Sequence, residues 1–136
     1  EAGYSYDSSV IPCRKIPGWY GGDYSRQNPD EAISFFRNAP PEIIEIPVSV
    51  MPWLRLPLSG AWTRFFGAKY SIFGMRLLAG RGTTPVLYFH PWEFVDLPEV
   101  TGVPRRVYWR TGKWMCRALR RILKQPYQFV SVKRLI

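Results

Sequence analysis

His90 is the single histidine of the 136-residue chain, and it closes the run Val86-Leu87-Tyr88-Phe89-His90 just before Pro91-Trp92-Glu93. The run is apolar and aromatic enough for a strand buried on both faces, as in a parallel sheet. Period-two geometry then puts Val86, Tyr88 and His90 on one face, with the imidazole at the strand's carboxyl end. Ligands and catalytic groups gather at that end of α/β barrels and open parallel sheets, which makes His90 a candidate catalytic residue; a structural histidine is the plainer alternative. Glu93 is spaced either to orient His90 or to face solvent. Trp92 offers a ring for a sugar face, or simply closes the end of the sheet.

A second carboxylate is conspicuous. Residues 43–50, Ile-Ile-Glu-Ile-Pro-Val-Ser-Val, form the strongest strand signal of the first half, and Glu45 lies inside it. Burying a carboxylate in such a strand is costly unless it is paired, so Glu45 either reaches solvent or has a specific partner.

Several chemistries are excluded. One histidine rules out a His-pair metal site within this chain, and Cys13 and Cys116 form neither a CxxC pair nor a disulfide framework. A composition 46% hydrophobic and 16% aromatic provides for one packed domain and excludes disorder, collagen and coiled coil. The most apolar stretch, residues 60–80, is broken by Arg64, Lys69 and Arg76, which argues against a transmembrane helix. The net charge of +9 is unevenly placed: ten of the 19 basic residues and none of the ten acidic ones follow residue 100.

The elements that must position these groups follow from pattern. Alternation in residues 4–10 predicts a short strand, and residues 18–29 a loop rich in glycine and aromatics. Asp30 is placed to cap a helix running to Arg37. Trp62, Phe66, Phe73 and Leu77 recur at helical spacing, predicting one helix over residues 61–79 despite Gly67 and Gly74. Helix followed by the 86–90 strand implies a βα repeat. After a long loop, a basic amphipathic helix runs from about residue 111 to Lys124, with Met115, Ala118, Leu119 and Ile122 on one stripe and Lys113, Arg117, Arg120 and Lys124 on another. Residues 127–132 read as a last strand.

His90-Pro91-Trp92-Glu93 with its preceding strand resembles the last motif of the polysaccharide deacetylases, carbohydrate esterases related to chitooligosaccharide deacetylase. Three other stretches agree in order: residues 3–10, Gly-Tyr-Ser-Tyr-Asp-Ser-Ser-Val; residues 45–49, Glu-Ile-Pro-Val-Ser; and the helix beginning near Gly60. Tyr108-Trp109-Arg110-Thr111-Gly112 and the helix after it resemble a C-terminal extension of one subfamily.

The resemblance implies an α/β fold, the C-terminal portion of a distorted (β/α) barrel over residues 1–100 carrying the basic helical extension 101–136 as part of a single domain. It implies metal-dependent hydrolysis of N-acetyl groups on a polysaccharide or lipid-linked glycan, with a divalent metal, usually zinc, held by one Asp and two His, and a second Asp as base. His90 would protonate the departing amine. Glu45 would orient a catalytic group or pair with an Arg, and Tyr88, Trp92 and Glu93 would contact substrate. Tyr88 stands where that family usually has an apolar residue.

The Asp-Asp and His-x-x-x-His motifs are not in the chain. It is therefore expected to bind no metal alone, to be inactive in isolation, and to expose a sheet edge open to self-association. The start at Glu1, without Met or a signal-peptide pattern, is consistent with a processed product or a fragment. The Lys113, Arg117, Arg120 and Lys124 stripe suits an anionic membrane surface or acidic glycan, which would place the protein at the cell envelope or the cytoplasmic membrane face. A nucleic-acid module fits less well, because no helix-turn-helix, zinc-finger or RNA-recognition motif accompanies the charge.

Overall fold

Short extended segments come first along the chain and helices dominate after Ser59. The computed structural model describes residues 4–15, 17, 28–31 and 42–134. Strands β1 (Tyr6–Asp7), β2 (Asp30–Glu31) and β3 (Ile44–Glu45) form a sheet of order β1-β3-β2, with β1 parallel and β2 antiparallel to β3. The parallel pairing outruns the assigned strands, since the N–H groups of Ile44, Ile46 and Val48 donate to the carbonyls of Ser5, Asp7 and Val10 at 3.1, 2.9 and 2.9 Å. A tight reversal follows, closed by the antiparallel bridge Val50↔Pro57.

From there the chain makes a β-helix-β crossover. Ser59 bridges Tyr88 in parallel, and between them lie helices α1 (Gly60–Phe66) and α2 (Ala68–Ala79). The single helix expected over 61–79 is thus two. Gly67 has φ 85°, a left-handed conformation natural to glycine, and it ends one helix and opens the next. The aromatic stripe is the outer face of both helices, and α1 turns Gly60, Thr63 and Arg64 inward. Ala68, Ile72, Met75 and Leu78 are buried, whereas Phe65, Phe66 and Phe73 are more than half exposed.

Helix α3 (Lys113–Leu123) lies against α2, and Met115, Ala118 and Ile122 join Ala68, Ile72 and Met75 in the main core. Leu87 and Phe89 pack onto that cluster from the extended segment leading to His90. The basic stretch after residue 100 therefore supplies one side of the core through α3. A second cluster, Met51, Leu58 and Leu78, joins the reversal to α2.

Three further expectations are corrected. Asp30 and Glu31 form β2 rather than opening a helix; the remainder of that expected helix and most of the 18–29 loop lie outside the described residues. Residues 86–90 are not buried on both faces: Val86 is buried, Leu87 and Phe89 turn to the helices, and Tyr88 and His90 face solvent. Residues 127–132 form no strand. Tyr127 packs on the core in a turn where its own N–H donates to the Gln125 carbonyl, and a short 3-10 helix, Val132–Arg134, follows. No helix among the described residues is long and apolar enough to cross a membrane.

Candidate functional site

His90 is the last extended residue before a 3-10 turn, Pro91–Phe94. Proline suits the first position of such a turn because its missing N–H would have no partner there. The turn swings Glu93 back beneath His90. Its carboxylate is buried, and Oε2 accepts the His90 backbone N–H at 2.9 Å. The Glu93 carboxylate therefore holds the backbone of His90 rather than its ring. The ring stands between Trp92, stacked with centroids 5.5 Å apart at 24°, and Tyr88, edge-on at 4.7 Å. The Tyr88 hydroxyl lies 3.2 Å from His90 Nε2 and 3.3 Å from Nδ1.

The other Glu93 oxygen meets Arg64. Arg64 Nε donates to Glu93 Oε1 at 3.0 Å, and both side chains are almost wholly removed from water, 7% and 1% exposed. The same guanidinium reaches across with Nη1 to the carbonyls of Arg106, Val107 and Trp109 at 3.2, 3.0 and 3.1 Å, and it lies over the Trp92 ring. In return Arg110 donates to the Arg64 carbonyl at 3.0 Å, satisfying an orphan carbonyl in the last turn of α1. One arginine thus ties the turn under His90 to the segment preceding α3. The close fit leaves no room at Gly60: a Cβ there would fall 1.8 Å from Glu93 Oε2.

A cleft of about 680 Å³ opens between these two parts. Tyr88, His90 and Trp92 line one side, and Phe65, Arg106 and Trp109 are among the residues of the other. The apolar rings and few polar groups suit a ligand with flat apolar faces and hydroxyls.

Glu45 does not line this cleft. It is fully buried in β3, where Oε1 accepts the Val10 N–H at 2.9 Å and Oε2 has no hydrogen-bond partner among the described residues. Burial pushes its carboxyl above the ordinary range, opposed by the Val10 N–H and reinforced by the neighbouring Asp7 charge. Of the five residues singled out by sequence, Tyr88, His90, Trp92 and Glu93 come together and Glu45 stands apart.

The family model described as "Domain of unknown function (DUF3473)" matches residues 8–136. The chain belongs to this family. The DUF3473 match runs through His90 and α3 alike, so the cleft's two walls fall within one family unit. No curated protein and no solved structure matches the chain.

Arg64 and Arg106 were not legible as site residues. For Arg64 a signal existed: Gly60 and Arg64 are one helical turn apart while Trp62, Phe65 and Phe66 crowd the other side, so the helix turns its smallest and most polar positions inward. Arg106 carries no comparable signal, being one of ten basic residues in an acid-free stretch.

Proposed function

We propose that this chain is the C-terminal portion of a polysaccharide deacetylase, part of a distorted (β/α) barrel, and that it supplies the proton-donating side of a site hydrolysing N-acetyl groups on a glycan. The observation that carries the reading is the exposed His90 imidazole, held at the mouth of a ring-lined cleft by a backbone fixed through Glu93 and Arg64. Tyr88 and Trp92 confine the ring and present apolar faces to a sugar. His90 donates the proton that lets the amine depart, a step for which an imidazole is suited near neutral pH. The motif order in residues 3–10, 45–49 and 86–93 supports the same reading.

The divalent metal that this activity implies does not fit the residues present. The chain has one histidine, and no group of three or more His, Cys, Asp or Glu among the described residues could hold an ion. The hydrolytic step on that side is therefore assigned to residues outside this chain, and the chain alone is expected to be inactive. The test is acetate release from N-acetylchitotetraose with added zinc. The complete encoded protein should turn over and residues 1–136 alone should not exceed a His90→Ala control; turnover by the chain alone, or none by the complete protein, would overturn the assignment.

A second role rests on the exposure of Lys113, Arg117, Arg120, Arg121 and Lys124 along α3. We propose that this face docks on an anionic membrane surface, each basic residue contributing about 1 kcal/mol. Sedimentation with acidic liposomes should exceed that with neutral ones; equal binding to both would reject it.

A further inference from the structure

The far side of the cleft is built with more care than a connecting segment requires. Arg105–Val107 is a 3-10 turn, and the carbonyls of Arg106, Val107 and Trp109 all converge on Arg64 Nη1. The backbone of residues 105–110 is thereby held against α1. The side chains it presents are a matched set. Trp109 makes a T-shaped contact with Phe65 at 5.6 Å and has the Arg110 guanidinium 4.3 Å from its ring centre, yet it remains 41% exposed. Phe65 is 52% exposed beside it. Arg106 is exposed at the rim and has no ion pair among the described residues. Among the described residues the one carboxylate lining the cleft is Glu93, and Arg64 already engages it. Among the described residues, Arg106 thus brings a positive charge with no carboxylate left to pair it beside an aromatic platform.

We propose that residues 105–110 form a second substrate wall, in which Trp109 and Phe65 stack on a sugar ring adjoining the one that faces His90, and Arg106 takes a negatively charged group on that glycan. This rests on the glycan reading above and adds to it a substrate class, an N-acetylated oligosaccharide with an anionic neighbour. Aromatic rings bind the apolar faces of sugars, and an unpaired guanidinium binds carboxylate or phosphate oxygens through a planar fork of donors. Arg64 couples the two walls, since one guanidinium holds both the carboxylate beneath His90 and the backbone that presents Arg106 and Trp109.

The test is binding, measured on the complete protein by titration calorimetry at 0.15 M salt, so that it reads independently of turnover. Three probes are compared: neutral chitohexaose, hyaluronan hexasaccharide with carboxylates, and UDP-N-acetylglucosamine with a diphosphate. At least one anionic probe should bind about tenfold more tightly than chitohexaose, as expected for one charge-assisted pair. Which of the two it is identifies the anionic group. Arg106→Gln should abolish that preference, Trp109→Ala should weaken the hexasaccharides about tenfold with Trp109→Phe restoring most of it, and Arg117→Gln with Lys124→Gln on α3 should change neither. Equal affinity for all three probes, or a preference lost through the α3 variant rather than Arg106→Gln, would overturn the proposal. Binding with this pattern but no acetate release would leave the wall in place and refute the deacetylase reading. Acetate release indifferent to Arg106 and Trp109 would do the reverse.

Discussion

Replacing Arg64 with methionine tests the link between the two walls of the cleft. The side chain keeps much of its length and apolar bulk but loses the charge, so Glu93, 1% exposed, keeps only the His90 N–H as a partner among the described residues. Removing one member of a buried pair in this way typically costs about 3–5 kcal/mol, because the surviving charge is left uncompensated. The carbonyls of Arg106, Val107 and Trp109 lose a donor as well, but residues 105–109 lie near the surface and water can replace it. With a urea dependence of about 1–3 kcal/mol per molar for a domain of this size, the midpoint should fall by roughly 1–5 M. Adding Glu93→Gln to Arg64→Met should recover about 1–3 kcal/mol, since a neutral amide still accepts the His90 N–H without an unpaired charge. Tryptophan fluorescence during urea unfolding follows the global change, and amide exchange across residues 105–110 reports the local release. A loss below about 1 kcal/mol, or a double variant no more stable than the single one, would refute the role given to the pair.

Two other substitutions probe the same framework. Gly60→Ala places a Cβ 1.8 Å from Glu93 Oε2 and should cost about 3 kcal/mol by thermal unfolding, whereas a neutral outcome would mean that the helix and the Glu93 turn move apart freely. Glu45 keeps its proton to higher pH in the folded chain than in the unfolded one. Its contribution is thus fully present below the unfolded carboxyl value of about 4.3 and is lost as pH rises through the raised one. Glu45→Gln should therefore gain stability relative to wild type as pH rises from acid to neutral in urea melts; a gap that widens in wild type's favour would contradict the sign.

Much of this arrangement is written in local pattern. The α3 stripe of Met115, Ala118 and Ile122 is buried where the 3.6-residue period places it, because one helix face meets α2 along its length. The sharing of one face by Tyr88 and His90 follows from strand geometry, and their rings do meet. Gly67 was ambiguous, since a glycine inside an aromatic helix either weakens it or breaks it, and local pattern does not say which. Nor does pattern say which face of each helix turns inward: α1 buries Gly60, Thr63 and Arg64, so Phe66 already faces solvent before the break, as Phe73 does after it. Arg64 and Glu93 lie 29 residues apart, and their pairing depends on α1 running back past the His90 turn, a tertiary fact that no spacing reports. The 127–132 segment has strand-like composition but turns at Gln125 and Tyr127, and tertiary context overrode its propensity.

The central claim is that His90 donates the proton to a departing amine, and the leaving group is the direct way to test it. The complete protein and its His90→Gln variant are assayed on N-acetylchitotetraose, whose amine needs a proton to leave, and on 4-nitrophenyl acetate, whose phenolate does not. A positioned general acid is typically worth about 10²–10⁴-fold, so kcat on the amide should fall by that factor while the ester loses less than about tenfold. Equal losses on both substrates, or no loss on the amide, would contradict the assignment of His90.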